Sequence, residues 1–204
     1  MVSKTRTRAE QKLDTRDRVR DAAWDLFTTV GFDRTTTKQI AERAGVAAGT
    51  VFVHASDKDD LLFLVMHDRL AATVEARFAK VPEAPLLEQL MYLFEGFFRM
   101  YAEHPAVAAA FVRRLPGADG PNAQRCNAVT WAFFARLGAL IAAAQERGEV
   151  ARDVDPVQCA QNAFALYFMA LLGWLGGFAT LETALEPGLR NALALQIRGM
   201  RPVP

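Results

Sequence analysis

The residues best placed to do chemistry lie in the stretch Arg34–Leu62, RTTTKQIAERAGVAAGTVFVHASDKDDLL, and the chemistry they offer is donation to anions and base edges rather than bond making. Thr37 and Lys58 present donors beside expected helix N-termini, where unpaired backbone N–H groups and the helix dipole already favour a phosphate. Lys38 can donate to a guanine edge, whereas Ala47, Ala48 and Gly49 carry no side-chain hydrogen-bonding group. Nothing here or elsewhere has the spacing of a nucleophile or metal set. His54, His67 and His104 are scattered, no GxSxG occurs, and Cys126 and Cys159 form no CxxC, so they read as buried thiols of a reducing compartment. No catalytic residue, metal or cofactor is expected, and the chain does not read as an enzyme.

Three short helices position these donors. Thr36 with Gln39 three residues later makes a capping box, which starts a helix at about Thr37 and carries it to Ala44. Ile40 and Ala44 share its apolar face, Ala41 is small where another helix crosses, and Gly45 suits a turn that needs positive φ. Val46 and Val51 supply contacts from the turn and the next helix. Together Ile40, Ala41, Ala44, Gly45, Val46 and Val51 fit a helix-turn-helix, whose second helix enters the major groove of DNA. Val19, Ala22, Ala23, Leu26, Phe27 and Val30 recur at helical spacing before it, predicting a helix from about Thr15 that Gly31 caps. Ser56 and Asp59 form a second capping signature, which places Lys58 in the first turn of a long helix running to about Lys80.

This layout, from Arg16 to Leu62, resembles the tetracycline-repressor-type (TetR) family of transcriptional regulators. The resemblance implies that Thr37, Thr50, His54 and Lys58 contact backbone phosphates, and that Lys38, Ala48, Gly49 and Phe52 face base edges. Family members commonly have an apolar residue at Thr37, a tyrosine at Phe52 and a phenylalanine at Ala55; Phe52 therefore lacks a phosphate-bonding hydroxyl. Sequence reading is expected to rest on Lys38 and on methyl contacts to thymine from Ala48 and Phe52.

The rest of the chain suits this reading. At 204 residues, 51% hydrophobic and 23% charged, it can bury a sizeable core and is not a disordered protein. Its formal net charge of +1 hides an asymmetry: residues 1–20 hold seven Lys or Arg against three acids. Residues 1–14 therefore read as a basic arm able to follow phosphates. No apolar core follows these charges, so no signal peptide is expected. The head then spans 15–62, and a larger helical domain spans 63–204. Its helices are expected at Leu86–Glu103, Pro105–Leu115, Asn122–Arg147, Pro156 to Gly173 or Gly177, and after Pro187 to Arg201. No strand pattern appears, and the fold class is all-α. The helix leaving the head is the only obvious rigid link between the halves.

Aromatic residues crowd the middle helices. With the cavity that the family resemblance implies, this points to a small apolar or aromatic effector lined by Phe94, Phe98, Tyr101, Trp131, Phe134 and Tyr167. Pro156–Leu181 lacks any charge, but Gln158, Gln161, Asn162 and the glycines near its end argue against a membrane span. A helix apolar around most of its circumference has to be buried. The resemblance implies that Pro156–Gly173 and Pro187–Arg201 pair with their copies in a homodimer. Two such heads would read a palindromic double-stranded DNA operator. The expected function is a cytoplasmic, ligand-responsive regulator, a repressor by family expectation, whose effector tilts the connecting helix. The alternatives are a helical ligand-binding or enzymatic protein that retains a helix-turn-helix, and a nonspecific architectural DNA binder.

Overall fold

The computed structural model describes residues 8–202, which form helices and no strand. In chain order they are α1 Arg8–Leu26, α2 Thr37–Ala44, α3 Ala48–Val51, α4 Lys58–Phe78, α5 Leu86–Ala102, α6 Pro105–Arg114, α7 Pro121–Glu146, α8 Pro156–Leu175, α9 Leu181–Thr183 and α10 Arg190–Gly199. Phe27–Gly31 continues α1 as a widened turn, and Ala184–Leu189 joins α9 to α10. The all-α expectation holds.

Two boundaries differ from those read in the sequence. α1 begins at Arg8 rather than near Thr15, so the second half of the expected basic arm is helix; residues 1–7 lie outside the described residues. Ala9, Glu10, Gln11, Lys12 and Leu13 are all strong helix formers, and their propensity extends the helix without an apolar stripe. The cap of α4 is also one residue later than expected. Asp57, not Ser56, accepts from the N–H three residues on, that of Asp60 at 2.7 Å, and the Ser56 N–H turns back to the Asp60 carboxylate at 3.1 Å. An aspartate caps as well as a serine, so the register was ambiguous among Ser56, Asp57, Asp59 and Asp60.

The chain divides into two compact units, but not at one point. One unit is the chain up to Asp68 together with Ala110–Cys126; the other is Arg69–Ala109 with Asn127 onward. The division passes through α4, α6 and α7, so the helix leaving the head is not the only element shared. In the first unit Val19, Ala23 and Phe27 of α1 and its extension, Ile40 and Ala41 of α2, and Val51 of α3 are almost wholly buried. Phe63 meets Phe111 edge-on with ring centres 5.1 Å apart.

In the second unit α5 buries Leu86, Leu90, Leu93, Phe94, Phe97, Phe98 and Tyr101. Gly96 leaves room for the Arg77 side chain to lie against α5, and that guanidinium stacks 4.7 Å over Tyr92. Asp155 caps α8 by accepting the Val157 N–H, with Pro156 at the first position as expected. Arg190 at the start of α10 reaches Glu88 of α5 at 2.5 Å. One described helix, α7, is long and apolar enough to cross a membrane by length and composition. Its buried residues Ala123, Cys126, Phe133, Leu137, Ile141 and Ala144 follow one stripe, however, as in a helix packed on one side.

Both cysteines are buried, and the Cys126 thiol donates to the Phe63 carbonyl at 3.5 Å. Burial raises each thiol, Cys126 to about 12, so the thiolate needed for reaction is scarce. Folded protein at pH 8 should therefore react with a disulfide reagent at least about tenfold more slowly than protein in denaturant, as followed by thiol absorbance.

Candidate functional site

The helix-turn-helix is fixed by backbone caps at both ends of α2. Thr36 accepts the Gln39 N–H at 3.2 Å, and Gln39 Oε1 accepts the Thr36 N–H at 2.8 Å, which completes the capping box. At the other end Gly45 has φ +64° and donates to the Ala41 and Glu42 carbonyls, while Val46 donates to Ala41 at 3.0 Å. Arg18 of α1 donates through Nη2 to the Ala44 and Gly45 carbonyls, the latter at 2.8 Å, and so satisfies acceptors that the helix end leaves unpaired. α3 starts after an extended Ala47 and is a single turn. Val53, His54 and Ala55 continue to donate to Thr50 or Val51 carbonyls. The reading element is therefore one helical turn followed by tighter turns, anchored by buried Val51 and Ala55.

Around this anchor the expected site residues divide by exposure. Lys38, Ala48, Gly49 and Phe52 are exposed, Phe52 at 53%, so its ring is surface and not core. Val53, which the sequence reading passed over, is exposed at 62% and extends that apolar patch. Lys38 approaches Glu42 at 4.0 Å between two exposed side chains, a pairing too weak in water to hold it from a ligand. Thr37, Thr50, His54 and Lys58 are half-buried beside it.

Two of these carry unexpected attachments. Lys58 donates to the Phe32 and Asp33 carbonyls at 3.1 and 3.2 Å and lies over the Phe32 ring, so part of its donor capacity is spent inside the head. Burial, with the positive charges of Lys12 and Arg16 adding to it, lowers the His54 pKa and leaves its ring neutral at neutral pH. That ring can still donate one N–H to a phosphate. Lys12 and Arg16 thus bring positive charge toward His54 from α1, where the sequence suggested an arm for Lys12. Only their spacing of four on a charged helix hinted at a common face.

In the second unit Phe94, Phe98, Tyr101 and Tyr167 come together. Phe94 stacks on Tyr167 at 4.7 Å, Phe98 meets the same ring edge-on at 5.6 Å, and the Tyr101 hydroxyl bonds that of Tyr167. Burial drives the Tyr167 pKa well up, so its hydroxyl stays neutral. Trp131 is not in this group. It is 63% exposed and pairs with half-buried Phe134, which reaches the cluster through Phe164. The central ring from α7 is Phe133, in contact with Phe78, Phe94, Phe97, Phe134 and Phe164. A one-residue error in helix phase separates Phe134 from Phe133.

Residues 19–65 match the model of a family described as bacterial regulatory proteins, tetR family. The chain is 21% identical to the fatty acid metabolism regulator protein of Bacillus subtilis, over 76% of this chain and 80% of that one. It is 27% identical to the HTH-type transcriptional repressor BepR of Brucella suis, over 84% of this chain and 85% of the other. The crystal structure of FadR of Thermus thermophilus, a TetR-family transcriptional repressor in complex with lauroyl-CoA, superposes with a TM-score of 0.70 at 28% identity, covering 93% of this chain and 97% of that one.

Replacing Gly45 by Ala forces an L residue into the left-handed region and brings a Cβ within 2.9 Å of Arg18 Nη2. The conformational cost alone is about 1–2 kcal/mol. Urea unfolding should show that loss for Gly45→Ala, with little change for Gly173→Ala, whose added methyl meets nothing within 4 Å.

Proposed function

We propose, on the premise that this chain belongs to the tetR family of bacterial regulatory proteins, that it is a ligand-responsive repressor which binds a palindromic operator as a homodimer. The observation that carries this is the exposed row Lys38, Ala48, Gly49 and Phe52, set beside half-buried donors on a helix-turn-helix capped at both ends of α2. In the proposed mechanism α3 enters a major groove. Lys38 donates to a guanine, and Ala48 and Phe52 meet thymine methyl groups. Thr37, Thr50, His54 and Lys58 hold the flanking phosphates, with Lys12 and Arg16 adding long-range attraction. None of this calls for a nucleophile, and the protein acts as a binder, not an enzyme, in the cytoplasm where the chromosome lies.

The dimer is placed on α8 and α10. On α8 the exposed positions Gln158, Asn162, Ala165 and Met169 share one face opposite buried Cys159, Ala163, Tyr167 and Leu171, and Leu195 of α10 is 67% exposed. Large exposed apolar side chains on neighbouring helices suit burial against a second copy, which also doubles operator contacts. The effector is placed at the Phe94–Phe133–Tyr167 cluster. Its mostly aromatic surroundings, in which the Tyr101 and Tyr167 hydroxyls bond each other, suit an apolar chain, and the lauroyl-CoA bound by the Thermus protein makes a long-chain acyl-CoA the first candidate. Such a ligand releases DNA by favouring a state in which the two heads fit successive grooves poorly.

The test is binding of purified protein to DNA flanking its own coding region, at two salt concentrations with excess competitor DNA, with and without lauroyl-CoA. The proposal expects saturable, competitor-resistant binding that lauroyl-CoA weakens; binding that competitor removes fully would leave a nonspecific DNA binder instead. Lys38→Ala should lower operator affinity by about 1–3 kcal/mol and relax preference at one base pair per half-site. Met169→Glu with Leu195→Glu should shift the sedimentation coefficient from dimer to monomer, since two carboxylates per subunit would otherwise be buried unpaired.

A further inference from the structure

The reading element has to end somewhere, and the carbonyls at its end have no helical partners. That of His54 is met at 2.9 Å by Nδ2 of Asn122, a residue 68 positions further along the chain and only 4% exposed. The second Nδ2 hydrogen goes to Asp60 Oδ2 at 2.8 Å, and the Asn122 N–H goes to Oδ1 at 2.9 Å. Both amide hydrogens are therefore committed, and the side chain has one orientation. Asp60, 3% exposed, also accepts from the Ser56 N–H at 3.1 Å and the Ala123 N–H at 3.3 Å. One carboxylate thus caps the first turn of α7 and holds the segment that follows the reading turns. A second attachment lies beside it: Arg114 stacks 4.2 Å over Phe32 and bonds Asp59 at 2.9 Å. All of these residues belong to the first unit, yet Arg114 and Asn122 fall outside the stretch 19–65 that matches the family model.

We infer that Asn122 is a positioning residue for DNA recognition: its amide fixes the end of the reading element at His54 and so sets where Phe52, Val53 and His54 stand against the groove. The inference rests on the DNA-binding reading above. A turn whose last carbonyl is released samples more orientations, and binding then has to order it. Loss of one such hydrogen bond corresponds to about a threefold to tenfold weaker complex. The acceptor is a backbone carbonyl, so no substitution at His54 itself replaces the contact.

Two measurements on the full-length protein test this, one without DNA. Hydrogen exchange is followed by mass spectrometry in peptides covering residues 50–57 and 37–46 for wild type and Asn122→Ala. The expected result is exchange about threefold or more faster in 50–57, with 37–46 unchanged. Unchanged exchange in 50–57, or an equal rise in both peptides, would overturn the inference, since the amide would then hold nothing or only general stability. Operator affinity, measured on a fragment selected by the wild type, should fall threefold to tenfold with competitor binding unaltered; an unchanged affinity also overturns it. Should Asn122→Ala not fold, Asn122→Ser takes its place, because it keeps the backbone bond to Asp60 but its hydroxyl is too short to span to His54. If the wild type selects no operator, the DNA-binding reading fails, while the exchange measurement still decides whether Asn122 holds the turn.

Discussion

A carboxylate taken out of water must be surrounded by donors, or it costs more than a helical head of this size can offset. Asp60 meets that demand with N–H groups from Ser56, Asn122 and Ala123 and the Asn122 amide, and the demand organises the head. Each donor comes from a place where a helix begins, and an N-terminal turn has N–H groups to spare. Meeting the carboxylate therefore fixes the start of α4 and the start of α7 about one point. The end of the reading turns is tied to that point through Asn122. Remove the carboxylate and the starts of α4 and α7 lose their common partner.

Much of the helix-turn-helix was legible in the sequence because its determinants are local. The Thr36–Gln39 box, the left-handed Gly45 and buried Ile40, Ala41, Ala44 and Val51 all act within a few residues of each other, where spacing alone decides the outcome. What the sequence concealed is carried by partners far along the chain. Arg18 gripping the carbonyls of Ala44 and Gly45, and Asn122 on His54, use backbone acceptors, which have no residue type to read. The start of α1 was hidden differently. Charge suggested an arm where propensity, the weaker signal per residue, decided for helix over Arg8–Asp14. At Lys58 the residue and its place in the first turn were legible, but not the carbonyls of Phe32 and Asp33 that occupy it.

The aromatic core shows the limit of periodicity. Phe94, Phe98 and Tyr101 recur at helical spacing along α5, and with Tyr167 of α8 they share one cluster. In α7 the adjacent pair Phe133 and Phe134 offered two phases, and the 63% exposure of Trp131 shows that the expected phase was turned by about one residue. Rings packed at 4.7 to 6.4 Å also rigidify α5, α7 and α8 against one another, so a molecule entering among them has to displace rings together rather than singly.

The first unit is assembled from two stretches separated by the whole of Arg69–Ala109. Synthesis from the N-terminus produces α1, α2 and α3 well before Asn122, and the loop that must close to join them is long. A nascent or prematurely ended chain thus displays the exposed row of Lys38, Ala48, Gly49 and Phe52 while the His54 carbonyl still lacks its bond from Asn122.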